Sequence, residues 1–190
     1  MPKASGASGW SRHERPGTAG RVTARVREWL VAGGLVEGPE GLLLVQNRRR
    51  NGSLDWSPPG GVIEVGAGET VTDGLTREVV EETGIRVTAW DGPLYRVEAV
   101  AAGLGWRLRA EVYRATSYTG RLDPGDPDGI VVDARFVEPA GCIDWLEAAN
   151  RWVSEPLLAW LAERWREARS FRYRIESDGP GGITVIREDG

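Results

Sequence analysis

Apolar and β-branched residues recur with strand-like spacing from Val22 to Val36, and a second such run covers Leu42 to Gln46. The turn formers Glu37-Gly38-Pro39-Glu40-Gly41 lie between them, so the pattern predicts a hairpin. Further strands are expected around 85–90, 94–100, 106–115 and 130–137. The turn signals that separate them are Asp91-Gly92-Pro93, Gly103 to Gly105 and Asp123 to Gly129. From Thr72 to Thr83 the period becomes helical: Leu75, Val79 and Val80 form an apolar stripe, Thr72 or Thr70 is placed to cap the start, and Gly84 suits the position after the end. Gly74 weakens this helix slightly. A second helix is expected from Ser154-Glu155-Pro156 onward, with Ser154 as cap, proline in the first turn, and Leu157, Leu158, Leu161 and Trp165 at helical spacing. Ile183 to Ile186, after Gly179-Pro180-Gly181-Gly182, reads as a terminal strand. This mixture predicts an α/β (α+β) protein with a mixed sheet and helices rather than an all-β one.

Length adds one constraint, since 190 residues suit a single core. Residues 1–20, rich in Gly, Ser, Pro and charge, read as a mobile leader. The longest aliphatic run is Leu42 to Val45, far short of the roughly 18 residues of a membrane span. The formal net charge of -4 gives no general attraction to nucleic acid or anionic membrane, so anionic ligands must be met locally. Arg164, Arg166, Arg169, Arg172 and Arg174 alternate with Trp165, Glu167 and Phe171, as on the solvated face of a helix with a packed edge, and nucleic-acid binding is not expected. The lone Cys142 excludes an intramolecular disulfide, and with no secretory h-region a cytoplasmic setting is expected. The only histidine, His13, lies in the leader, which argues against triad and histidine-metal chemistry. Any catalysis then falls to carboxylates.

Those carboxylates are concentrated in Arg77-Glu78-Val79-Val80-Glu81-Glu82. On a helix Glu78 precedes Glu81 and Glu82 by three and four residues, which gathers all three on one side. Each like-charge pair costs a helix about 0.2–0.5 kcal/mol, and a hard divalent cation turns that repulsion into coordination. A solvated acidic face is the plain alternative. The preceding Pro58-Pro59-Gly60-Gly61 favours the metal site, because its prolines break any helix and its glycines let backbone approach a metal-bound phosphate. Arg48, Arg49 and Arg50 are candidate phosphate clamps, of which one or two are expected to point inward. Trp56 and Trp106 are candidates for stacking on a base, set against the commoner role of tryptophan in packing. Asp123, Asp126, Asp128 and Asp133 are candidate distal acids, set against an ordinary role in turns.

The stretch from Gly60 to Ile85 resembles the signature of the Nudix hydrolase family, in its MutT-like form. That signature is Gly, five residues, Glu, seven residues, Arg-Glu, an aliphatic, any residue, Glu-Glu, any residue, Gly and an aliphatic. Glu69, then seven residues, then Arg77 to Ile85 matches every fixed position of its second half. In the first half seven residues rather than five separate Gly61 from Glu69, a two-residue insertion around Val65-Gly66-Ala67-Gly68.

The resemblance implies an α/β/α sandwich with a mixed sheet, and Mg²⁺ (or Mn²⁺) bound by Glu78, Glu81, Glu82 and the carbonyl of Gly61. It further implies that Arg77 orients these glutamates through salt bridges and that Glu69 is structural. The substrate would be a small-molecule nucleoside diphosphate derivative, bound by Arg48, Arg50 and Trp56 and cleaved at its pyrophosphate by cation-activated water. A helix glutamate or a distal acid such as Asp128 would take the proton. The organisation expected is a leader over 1–20, a Nudix domain over 21–140, and a C-terminal helical extension over 141–190, with a terminal strand, packed on the same domain. The rival expectation is a Nudix-fold protein that binds nucleotides or regulates without turnover. Nine tryptophans and the C-terminal helix leave a homodimer open, and no membrane partner is expected.

Overall fold

The computed structural model describes residues 26–64, 68–125, 127–179 and 182–188. The expected leader, Val22 to Arg25, Val65-Gly66-Ala67 and Asp126 lie outside the described residues. In chain order the strands are β1 (Arg27–Leu35), β2 (Glu37–Gly38), β3 (Gly41–Arg48), β4 (Leu54–Ser57), β5 (Gly60–Val62), β6 (Arg86–Ala101), β7 (Trp106–Thr119), β8 (Val131–Val137), β9 (Arg169–Gly179) and β10 (Gly182–Glu188). The α-helices are α1 (Val71–Thr83), the short α2 (Cys142–Trp145) and α3 (Arg151–Glu163).

A six-stranded mixed sheet runs β10-β9-β6-β7-β1-β5, and a four-stranded sheet is built on β3, with β4 and β2 on one path and β8 also paired to it. One core lies under α1, where Leu75 and Val79 meet Leu43, Val45, Ile63 and Val87. The other lies under α3, where Leu157 and Trp160 meet Val97, Phe171 and Tyr173. β3 is buried from Leu42 through Val45, as a strand covered on both faces must be.

Helix α1 forms where its local signals place it. Thr70 caps it, its hydroxyl accepting from the Asp73 amide at 3.1 Å. At the other end Gly84, at φ 74, donates its amide to the Val80 carbonyl. Gly74 has a reason beyond propensity, since a Cβ there would lie 2.6 Å from a Glu69 carboxylate oxygen. Thr70→Ala is expected to cost about 1 kcal/mol. In a chain of this size that is a fall in Tm of roughly 2–4 °C, readable by calorimetry; an unchanged Tm would show that the cap is dispensable.

Several local expectations change in three dimensions. β1 does not form a hairpin with β3: it pairs with β7 in parallel and with β5 in antiparallel, and the chain turns back through Glu37-Gly38 on Gly41-Leu42, with the Leu43 amide donating to the Val36 carbonyl at 2.9 Å. Asp91-Gly92-Pro93 is not a turn between strands but an irregularity within β6, because pairing with β7 holds on both sides of it. A proline with no N–H is tolerated at such a break in the ladder. Helix α3 begins at Arg151 with Asn150 at the N-cap, so Ser154 is not the cap and Pro156 lies inside the helix. Trp165 lies beyond that helix. Arg164 ends it in the left-handed conformation (φ 54), and the Trp165 indole donates to the Leu94 carbonyl at 2.9 Å, tying it to the sheet.

The arginine-rich stretch after α3 is a strand for most of its length. Phe171, Tyr173 and Ile175 are buried while Arg172, Arg174 and Glu176 are exposed, a period of two. Two of its arginines are paired with acids, Arg169 with Glu163 and Arg174 with Glu176 and Glu188, so it is not an open basic stripe. Among the described residues no helix is long and apolar enough to cross a membrane.

Candidate active site

The loop before α1 brings backbone and carboxylates together. Gly60 adopts φ +144, a region open in practice only to glycine, and a Cβ there would fall 2.1 Å from the Ala32 carbonyl oxygen. That close approach to β1 presents the Gly60 amide to Glu82, whose carboxylate accepts from it at 2.8 Å. Glu82 is only 8% exposed. At Gly61 the missing Cβ leaves space that Glu78 uses, since a Cβ would lie 2.5 Å from a Glu78 carboxylate oxygen.

Arg77 is the hub of the helix face. It grips Glu69 through two contacts, Nε to Oε1 at 2.9 Å and Nη2 to Oε2 at 3.3 Å. Its Nη1 also reaches Glu78 at 2.8 Å and Glu81 at 3.2 Å. Hydrogen bonding from Arg77 holds the Glu69 carboxyl below its ordinary pKa, with a further bond from the Glu64 amide. Burial pushes Glu78 the other way, above the ordinary range, against the opposing pull of Arg77.

Among the described residues no three acidic, histidine or cysteine side chains converge as a ready-made cation cage. The hydrogen bonds just given account for this, because Glu78 and Glu81 turn toward Arg77 while Glu82 turns toward Gly60. The donor set nevertheless suits a hard divalent cation, being made of carboxylate oxygens on one helix face beside a glycine cradle.

A cavity of about 350 Å³ opens beside Gly60. Its floor is the six-stranded sheet, through Val31, Val97, Leu108, Ala110 and Val112, and α3 walls it through Trp152, Val153 and the preceding Asn150. From the second sheet come Asn47 and Ser57, and Arg49 comes from the loop that follows β3. Arg49 is held by the buried Asp55 through contacts of 2.5 and 2.7 Å, and Asn47 donates to Asp55 and Ser57.

The other expected site residues are dispersed. Arg48 and Arg50 are exposed, and the arginine that borders the cavity is Arg49. Trp56 packs edge-on against Trp145 with ring centroids 4.6 Å apart and borders a separate depression. Trp106 packs between Trp29 and Trp152, at 6.3 Å from each. The Asp123 amide bonds the Thr83 carbonyl at the end of α1, Asp133 accepts from Ala134 and Arg135 within β8, and Asp128 is exposed in the loop before β8. Sequence reasoning missed Asn47, Asp55, Tyr95, Asn150 and Trp152. For Asn47 the last two residues of β3 carried a usable signal, since neighbours in a strand face opposite ways and Asn47 is buried where Arg48 is exposed.

A model of the NUDIX domain family matches residues 27–161. A MutT-like protein of Streptomyces ambofaciens is 50% identical over 54 residues, which is 28% of this chain and 32% of that protein. The match therefore spans about a third of that relative's length. Among solved structures, the MutT protein of Bacillus halodurans superposes with a TM-score of 0.62 at 21% identity, covering 83% of this chain and 97% of that one. A MutT NUDIX hydrolase of Burkholderia pseudomallei gives 0.52 at 24% identity, with 60% and 85% covered. At these identities the structures establish a shared fold.

Proposed function

The chain belongs to the NUDIX domain family, and from that premise we propose that it is a divalent-cation-dependent pyrophosphohydrolase that cleaves a nucleoside diphosphate derivative. The observation that carries this reading is Gly60, which borders the cavity and donates to Glu82, so one residue joins a ligand-sized space to the carboxylate cluster. In the proposal Glu78, Glu81, Glu82 and the Gly61 carbonyl hold Mg²⁺ or Mn²⁺. Such a cation supplies charge against the pyrophosphate oxygens and activates water. Arg77 sets the directions of Glu78 and Glu81, and Glu69 fixes Arg77 from behind. Arg48 and Arg50, exposed near the end of β3, meet the phosphates from solvent. The water's proton goes to a helix glutamate or to Asp128. A cytoplasmic setting belongs to the same proposal.

The test is release of phosphate or nucleoside monophosphate from a panel of nucleoside triphosphates, nucleotide sugars, ADP-ribose and dinucleoside polyphosphates, with Mg²⁺ and with a chelator. Turnover of at least one compound, abolished by chelation, is expected. Binding of these compounds without any turnover would replace the hydrolase with a nucleotide-binding or regulatory domain.

A further inference from the structure

One polar group at the cavity has no partner among the described residues. Tyr95, in β6, is 2% exposed and borders the cavity. Its ring is fixed by edge-to-face contacts with Trp165 and Phe171, at centroid separations of 6.4 and 5.9 Å. The hydroxyls of the two other buried tyrosines are satisfied, Tyr113 donating to Glu111 at 2.6 Å and Tyr173 to Glu155 at 3.1 Å. The Tyr95 hydroxyl has no such bond to any described residue. Among the described residues the side-chain polar atom both sealed from solvent and unpaired is Arg107 Nε, so the Tyr95 hydroxyl keeps access to open space. The space that Tyr95 borders is this cavity.

The surroundings restrict what fills it. Val97, Ala110 and Val112 make the neighbouring wall apolar, and Trp152 adds an indole from α3. Asn150, which caps α3, makes no side-chain cap bond and borders the same space. A sugar placed here would leave many of its hydroxyls unpaired, whereas a flat ring with a few polar atoms on its edge matches an apolar wall with a few polar groups. Burial raises the phenol's pKa, which keeps Tyr95 protonated and able to donate.

We infer that Tyr95 is a specificity-determining residue, donating a hydrogen bond to an acceptor on the edge of a heteroaromatic ring, so that the cavity takes the nucleobase of the substrate. This rests on the hydrolase reading above, and it is tested by binding rather than turnover so that the two fail separately. AMP, GMP, CMP, UMP and ribose 5-phosphate are titrated into wild-type protein and Tyr95→Phe by calorimetry, alongside thermal melts. At least one nucleotide binds wild type more tightly than ribose 5-phosphate does, and Tyr95→Phe weakens that nucleotide about tenfold while leaving ribose 5-phosphate unchanged. The Tm of the variant equals or exceeds that of wild type, because the hydroxyl removed had no partner among the described residues. Wild type with no preference for a nucleotide, a variant that binds as wild type does, or a clear fall in Tm would each overturn the assignment. Absence of turnover in the metal-dependent panel, with these binding results intact, would count against the hydrolase alone.

Discussion

Glu82→Gln is expected to lower kcat/KM for the preferred substrate by at least about 100-fold while leaving Tm within about 2 °C of wild type. The substitution is informative because it separates charge from shape. Glutamine keeps a carbonyl oxygen that still accepts from the Gly60 amide, so the 2.8 Å contact behind the loop survives. What disappears is the negative charge, on a side chain buried enough that solvent compensates little for its loss. Steady-state kinetics across a range of Mg²⁺ concentrations, with melts on the same samples, make the check. Full activity in the variant would remove Glu82 from the cation site.

Gly60→Ala is expected to damage both stability and activity. At φ +144 an L side chain is strained before any contact is counted, and the new Cβ meets backbone, the Ala32 carbonyl oxygen, which cannot swing aside. The cost is about 3 kcal/mol, which corresponds to a fall in Tm of roughly 6–12 °C. Activity falls with it, because displacement of the Gly60 amide releases Glu82. Gly61→Ala offers a contrast. Its Cβ would press on the end of the Glu78 side chain, which is able to move, so its effect falls on activity more than on Tm. Melting of Gly60→Ala at the wild-type temperature would show that β1 and the loop do not approach as closely as described.

Helix α1 was legible in the sequence because everything that makes it is local: the Thr70 cap, the Leu75 and Val79 stripe, and Gly84. Its acidic face and the glycines before it were legible for the same reason. The alternation of β9 was less so, because Trp165 and the arginines around it prolong an apparent helical pattern until Phe171, Tyr173 and Ile175 reveal a period of two. Pro156 misplaced the start of α3, since proline favours a first turn, whereas Asn150 was an equally good cap several residues earlier. The cavity was the least legible part. Tyr95, Asn47 and Asn150 come from β6, β3 and the start of α3, and their convergence depends on how sheets and helix stack, which no local pattern records.

The parallel pairing of β6 with β9 also bears on how the molecule is made. Tyr95 to Val100 align with Arg169 to Arg174, so this edge of β6 waits for its neighbour until the whole of α3 has been synthesised. Contacts between segments so far apart along the chain slow folding. Meanwhile an unpaired strand edge is a template for other chains. The nascent protein is therefore most exposed to misassembly in the interval between emergence of β6 and arrival of β9, and a chaperone that shields an open strand edge would act during that interval.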